Sequence, residues 1–178
     1  MRKVFWLLAC SWALLSACAR NIEAVPASPL KVDLQSVVEV GAVQPVNGIT
    51  SAGQPDQVSF KVFADSGYAA VIDLRTDDED RGIDEQAIVE GLGMDYLSLP
   101  IGSDGISFEN ARALDKLLSG YDQPVLVHCA SGNRVGALLA LRASMNGADD
   151  ASAMELGKRG GLTRLEPKVR EILTREAP

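Results

Sequence analysis

The sequence predicts an α/β fold: one domain with a central, mainly parallel β-sheet flanked by helices on both faces. Three observations carry this. The runs "YAAVIDLR", "MDYLSLPI" and "PVLVHC" are short, apolar and rich in β-formers, as strands buried on both faces are. The stretches between them have helical spacing and their own start and stop signals. Strand and helix alternate, the pattern of parallel strands joined by crossover helices. The length of 178 residues and a composition 47% hydrophobic suit one domain with a substantial core.

The chain opens with "MRKVFWLLACSWALLSAC": basic Arg2 and Lys3, an apolar run from Val4 to Leu15, then small residues before Cys18. That is the layout of a secretory signal peptide, and the run is too short for a confident membrane span of ~20 apolar residues. "LLSAC" resembles a bacterial lipobox, whose cysteine is lipidated and becomes the first mature residue. Residues 1–18 are therefore expected to be a lipoprotein signal peptide with Cys18 as the lipidation site. A plain signal peptide cut near Ala17 or Ala19, or a short anchor, is the alternative. Cleavage removes Arg2 and Lys3 and takes the formal charge from −7 to −9. So acidic a domain is a poor nucleic-acid binder, and no nucleic-acid partner is expected.

Residues 19–40, with "EAVPASPLK", read as a tether, and the folded domain as 41–178. "VNGITSAGQP" from Val46 suggests a short strand and a loop, with Pro55 opening a helix. That helix, "DQVSFKVFADSG", places Val58, Val62 and Phe63 on one side, with Gly67 past its end. "YAAVIDLR" (68–75) is a buried strand, "DEQAIVEGLG" a helix closed by glycines, "MDYLSLPI" the next strand. "SFENARALDKLLSG" begins at a Ser107 cap and carries Ala111, Leu114, Leu117 and Leu118 at helical spacing. "PVLVHC" is a strand and "RVGALLALRASMNG" a strongly apolar, hence central, helix. Two further helices are expected near 149–159 and 166–176.

Cysteine usage points to chemistry. Cys10 lies in the signal, and Cys18 would carry lipid. Cys129 alone remains in the exported domain, so no disulfide framework exists. In "VLVHCASGNRVG" a strand ends at Cys129 and a helix begins near Arg134, with Ala130, Ser131, Gly132 and Asn133 between. Small residues there can turn their N–H groups inward as an anion nest, and the helix N-terminus adds its positive dipole end. Arg134 adds a planar cation suited to phosphate or sulfate oxygens. The same features favour a nucleophilic thiolate at the base of the loop. The place is right as well: in parallel sheets, ligands bind beyond the carboxyl ends of strands. The alternative is an ordinary strand-to-helix turn with a buried, inert cysteine. His128, the only histidine, is expected to turn away from the pocket and hydrogen-bond the loop backbone as a supporting residue. One histidine and one cysteine do not make a metal site, and no metal or cofactor is expected.

These residues carry a resemblance. "VHCASGNRVG" is similar to the signature of cysteine-dependent tyrosine and dual-specificity phosphatases. The order "GYAAVIDLR", "GLGMDYLSLPIGSDG", helix, "PVLVHC" follows dual-specificity phosphatases too. The stretch from about 47 to 175 resembles the phosphatase-like domain of beta-lactamase-hydrolase-like proteins, and also the phosphatase domain fused to NAD kinases. The resemblance implies a dual-specificity-phosphatase-like fold over 41–178 and a cysteinyl-phosphate mechanism. Cys129 would attack phosphorus, while Arg134 and the amides of Ala130, Ser131, Gly132 and Asn133 hold the oxygens. By position in "IGSDGIS", Asp104 would protonate the leaving oxygen, with Gly102 and Gly105 letting it move. General acid catalysis of this kind contributes about 10²–10⁴-fold. The alternative for Asp104 is a loop residue capping the next helix.

The pattern also departs from the family. Four residues separate Cys129 from Arg134, one fewer than in those phosphatases. Rhodaneses share the shorter spacing, whose smaller loop suits sulfur. Val135 stands where phosphatases carry Ser or Thr to help the thiolate leave. Against a rhodanese, "RTDDEDRGIDEQAI" lacks the expected histidine. The expected activity is a phosphoric monoester hydrolase, with a rhodanese-like sulfurtransferase or an inactive phosphate-binding module as alternatives. The expected partners are a phosphorylated substrate of unknown class and, through the N-terminal lipid, a bacterial membrane on its periplasmic side. Ala19 lacks the aspartate that often retains lipoproteins at the inner membrane, so the outer membrane is favoured. Asp73 and Arg75 are expected to shape the pocket or pair with each other. Asp77, Asp78, Glu79 and Asp80 read as a solvated acidic loop, and Arg159 as a helix end near the pocket mouth.

Overall fold

A computed structural model describes residues 30–45 and 48–175. The signal stretch with Cys10 and Cys18, and residues 19–29 of the expected tether, lie outside the described residues.

Four strands form one sheet in the order β1-β4-β2-β3: β1 (Ile49–Ala52), β2 (Ala70–Asp73), β3 (Asp95–Ser98) and β4 (Val125–His128). Every pairing is parallel, and the register sets Ala52 and Asp73 beside His128 at the carboxyl edge. Period-two alternation then sorts the side chains by face. Ala70, Ile72, Leu74, Val125, Val127 and Cys129 enter one core cluster, with Val71 and Leu126 in the other. Asp73 and His128 therefore share the face opposite Cys129, and this separates the nucleophile from its sequence neighbour.

The Cys129 face is covered by α4 (Phe108–Leu118), α5 (Asn133–Met145), α6 (Asp150–Arg159) and α7 (Glu166–Arg175). The other face is covered by α1 (Leu34–Val40), α2 (Gln57–Asp65) and α3 (Glu85–Gly91). Asp33, Asp56, Asp84, Ser107 and Asp149 each accept a backbone N–H of the first turn that follows, which explains where those five helices start. Asp56, rather than Pro55, thus opens α2. Its buried face is Ser59, Phe60, Val62 and Phe63, whereas Val58, expected inside, is exposed. The helix α5 is buried along almost its whole length, as its all-round apolar sequence implies. Gly136 makes room for α6 and its exit: a Cβ there would lie 2.6 Å from the Gly157 carbonyl oxygen and closer still to the Leu162 amide.

The stretch 30–40, read from sequence as tether, is folded onto the domain. Leu30 is buried, and residues 30–32 run parallel to β1 on its free edge. Val32 N–H donates to Ser51 O and Ser51 N–H to Leu30 O, each at 2.9 Å. The helix α1 then packs beside α2. The unpaired edge of β1 explains this, because such an edge takes up any extended chain that reaches it. No helix of the described residues is long and apolar enough to cross a membrane.

Candidate active site

The strand β4 ends at His128, and the chain turns through Cys129–Gly132 into α5. Gly132, at φ +82°, is the hinge of this turn and the N-cap of α5. Cys129 is buried, and its Sγ accepts the Gly132 N–H at 3.2 Å. Three of the loop's carbonyls accept hydrogen bonds from residues beyond it. Ala130 O accepts Gln54 N–H (3.3 Å), Ser131 O accepts Lys31 Nζ (2.8 Å), and Gly132 O accepts Gly136 N–H (2.9 Å). A trans peptide points its C=O and N–H in opposite directions. Turning those three carbonyls outward therefore turns the amides of Ser131, Gly132 and Asn133 inward, towards the sulfur. Three amides thus share one side of the loop, whereas the sequence pattern predicts the Ala130 amide on an anion as well.

Arg134 stands in the first turn of α5, nearly buried. Glu79 grips it with two bonds, from Nη1 to Oε1 (2.5 Å) and from Nη2 to Oε2 (2.6 Å), and Ile101 O takes Nη1 at 3.1 Å. A guanidinium has five N–H groups on two forks. Glu79 occupies the Nη1/Nη2 fork, which leaves the Nε and second Nη2 hydrogens as a fork on the other edge. The nearby Cys129 contributes, after Glu79, to holding Arg134 in its charged form. Glu79 is in turn held at about 2, by the Arg134 bond against partial burial and with help from the Thr76 N–H. A cleft of about 370 Å³ opens here. It is lined by Ala130, Ser131, Asn133, Arg134, Thr76, Asp78, Glu79, Gly102, Ser103 and Arg164, with the Cys129 sulfur buried behind them.

Under the nest lies a second charged group, fully enclosed. Arg75 donates to Asp73 through Nε and Nη2, both at 2.9 Å, and to Glu85. His128 donates from Nε2 to Glu85 Oε1 at 2.6 Å. Arg81 and the Tyr96 hydroxyl reach Asp73 Oδ2 at 3.3 and 3.0 Å. Burial opposes ionisation of Asp73, but the Arg75 bonds and the nearby His128 outweigh it and hold the carboxyl at about 2. Burial, then Asp73, pushes Tyr96 up to about 12. Asp73, Glu85 and His128 bring ligand atoms within 4.8 Å of one another, a spacing a cation uses. Arg75 Nη2 already bridges the two carboxylates, so the guanidinium takes the cation's place.

Asp73 and Arg75 thus pair with each other rather than line the cleft. The His128 ring does turn away from the cleft, but it bonds Glu85 instead of the loop backbone. Its Nδ1 is buried without a partner among the described residues. Asp104 sits on a single 3-10 turn (Ser103–Gly105) with its side chain exposed, its carboxylate 3.8 Å from Lys168 Nζ. Lys168 holds the Ser103 and Asp104 carbonyls (3.0 and 2.9 Å) and Asn110 the Gly105 carbonyl (2.6 Å), so the turn is pinned in this position. Ser107 caps α4, leaving Asp104 no capping task. Val135 is buried in the core and brings no hydroxyl to the sulfur. Asp77, Asp78 and Asp80 are exposed, as read from sequence; Glu79 is the exception. Sequence reasoning also missed Glu85, Lys31 and Arg164. Of these, Glu79 had the only local signal: its spacing from Thr76, whose N–H and hydroxyl it accepts, is that of a turn closed by a side chain.

The model of the beta-lactamase hydrolase-like protein, phosphatase-like domain, matches residues 44–146, which hold the whole nest, Glu79 and Arg134. The chain belongs to this family. It is 30% identical over 118 residues to the beta-lactamase hydrolase-like protein of Agrobacterium fabrum, covering 64% of this chain and 27% of that one. It is 35% identical over 100 residues to that of Xylella fastidiosa, covering 54% and 23%. The chain thus spans about a quarter of the curated relatives it matches. Among solved structures, a Cys-to-Ser variant of P. aeruginosa TpbA in complex with pTyr aligns with a TM-score of 0.64 at 21% identity, over 85% of this chain and 91% of that one. Kinase associated phosphatase, with its catalytic cysteine replaced by serine, aligns at 0.52 and 14%, over 71% and 85%. The fold is that of the cysteine phosphatases, and the phosphatase-like family assignment rests on the matched domain.

Proposed function

We propose that this phosphatase-like domain is a working phosphoric monoester hydrolase of the tyrosine/dual-specificity type, acting through a cysteinyl-phosphate intermediate. The observation that carries this reading is the Cys129 sulfur taking the Gly132 N–H at the start of α5, with Arg134 close by. The Cys129 thiolate attacks phosphorus as the ester P–O bond breaks. The open fork of Arg134 and the amides of Ser131, Gly132 and Asn133 hold the non-bridging oxygens, whose charge grows in the transition state. Asp104 gives its proton to the departing oxygen, for which the Lys168 and Asn110 bonds that pin its turn must open and let it swing towards the cleft. Water then attacks the phosphorus and yields its proton to Asp104, and the S–P bond breaks to release orthophosphate and the thiolate. Val135 offers the leaving sulfur no hydroxyl, so this second step is the slow one. The test is hydrolysis of an aryl phosphate without added metal. Wild type is active and blocked by vanadate, and Cys129→Ser is inactive; equal rates for the two proteins end the reading.

The four-residue spacing supports a second reading, sulfur transfer from thiosulfate through a Cys129 persulfide. A third, supported by Val135, is an inactive module that holds phosphate without turning it over. Weighing the Cys129 peptide after incubation with a phosphate ester or with thiosulfate separates them: a phosphate adduct, a sulfur adduct or neither. The chain is further proposed to be exported and lipid-anchored at Cys18, facing the periplasm and at the outer membrane. Cys18→Ser then moves it from the membrane fraction to the soluble one; an unchanged distribution refutes the anchor.

A further inference from the structure

The matched family domain begins at residue 44, yet the nest is completed from outside it. Residues 30–32 lie along β1, and the Lys31 N–H donates to Arg159 O at 2.8 Å, which fixes the backbone of this strap at both the sheet and α6. The Lys31 side chain then crosses two glycines. A Cβ at Gly132 would lie 3.0 Å from its Cε, and one at Gly161 2.8 Å from its Cδ. A Cβ at either position would press on the lysine stem, and both glycines also take positive φ, at +82° and +103°. The path ends with Nζ on Ser131 O at 2.8 Å. That carbonyl belongs to the same peptide as the Gly132 N–H, which points the other way, to Cys129 Sγ at 3.2 Å.

We infer that Lys31 is a positioning residue for the reaction: by holding the Ser131 carbonyl outward it aims the Gly132 amide at the sulfur and at the anion bound there. Of the three carbonyls on the outer side of the nest, those of Ala130 and Gly132 are held by backbone amides, which no side-chain substitution removes. The Ser131 carbonyl is held by a side chain alone. Without Lys31 the 131–132 peptide is free to rotate, and the rotated form puts a carbonyl dipole where the anion's negative charge belongs. The lysine also adds a positive charge on the outer side of the nest. The strap is therefore part of the machinery, although it precedes the family domain and continues the segment that leads to Cys18.

The inference rests on the reading of the nest as a holder of a phosphate-like anion, and its test separates the two. Lys31→Met keeps the stem and removes the donor, Lys31→Arg keeps a donor, and Val169→Ala in α7 weakens the core at a residue outside the cleft lining. The readouts are kcat and KM on an aryl phosphate, vanadate affinity by calorimetry, and Tm. Lys31→Met is expected to weaken vanadate binding about tenfold, the size of one charged hydrogen bond. It lowers kcat/KM at least as much, and Lys31→Arg restores part of both. Val169→Ala lowers Tm and leaves vanadate affinity unchanged. Unchanged vanadate affinity in Lys31→Met overturns the inference, as does a loss that follows Tm alike in Lys31→Met and Val169→Ala. A wild type that binds vanadate but turns over no ester refutes the hydrolase reading instead, and the vanadate arm still decides the role of Lys31.

Discussion

Arg75 and Arg134 lie on either side of the same sheet edge, each gripped by carboxylates, and they are built for different ends. Arg75 is fully buried between Asp73 and Glu85, which occupy its Nε and Nη2 groups. Its Nη1 is buried and unpartnered among the described residues, so no edge faces solvent. Arg134 meets one carboxylate, Glu79, on one fork, and the nearby Cys129 adds to what keeps it charged. An arginine enclosed with two carboxylates holds a fold together, whereas one held by a single carboxylate beside a cleft is kept still at the cleft wall. The two separate because period-two alternation puts Asp73 and His128 on the face opposite Cys129.

The largest expected effect tests the structural partner. Arg75→Met leaves Asp73 and Glu85 as buried, unpaired carboxylates and should cost about 3–5 kcal/mol of stability. Denaturant unfolding would read this as a large fall in midpoint. A loss below about 1 kcal/mol would mean that the enclosed cluster is not what stabilises this edge. Arg134→Lys is the mirror experiment. It keeps the charge and loses the fork, so kcat/KM should fall by at least about 10²-fold while Tm barely moves. A similar Tm loss in both variants would erase the distinction between the two arginines.

Acid unfolding sharpens the comparison through the carboxylates. Asp73 and Glu79 both titrate near pH 2 in the folded chain, below their unfolded values of about 4. A depressed folded value means that each favours folding fully above about pH 5, and that this contribution is lost as pH falls towards 2. Asp73 has no solvent exposure and Glu79 is partly screened. Asp73→Asn should therefore flatten the stability curve between pH 5 and 2 more than Glu79→Gln. Glu79→Gln should act instead on catalysis, lowering kcat/KM roughly tenfold by loosening Arg134. The reverse order of the two slopes would contradict the assignment of the buried cluster to stability.

The sequence made the nest legible because its signal is local: a strand end, small residues, a glycine that takes positive φ and an arginine fall within six residues. The sheet and six of the seven α-helices among the described residues were legible for the same reason, through period and caps. What it hid were contacts across long separations. Glu79 looks like its exposed neighbours Asp77, Asp78 and Asp80, and only the fold brings it to Arg134. Glu85 sits in a short helix whose period says nothing of its hydrogen bond to His128. Lys31 precedes the recognisable domain, in a proline-rich stretch whose composition reads as a tether. Its role exists because β1 has an open edge, which no local pattern in that segment reveals.

A third arginine extends the series to its limit and gives the smallest expected effect. Arg164 lines the cleft, exposed, with no carboxylate partner among the described residues. Its carrier is rigid: Asn133 Oδ1 accepts the Thr163 N–H at 2.8 Å, its hydroxyl at 3.2 Å and the Leu165 N–H at 3.4 Å. Asn133 thus supplies an amide to the nest while its side chain ties down the segment that presents Arg164. Arg75, with two carboxylates, is enclosed in the fold, and Arg134, with one, lines the cleft. Arg164 has none among the described residues, and its charge is left for whatever the substrate carries beyond the reacting phosphate. Arg164→Gln should therefore lower kcat/KM about threefold on an aryl phosphate bearing a second anionic group, and less on phenyl phosphate, since an exposed charge contributes under about 1 kcal/mol. The difference should shrink in high salt. Equal losses on the two substrates would place Arg164 outside the substrate's reach and end the series at Arg134.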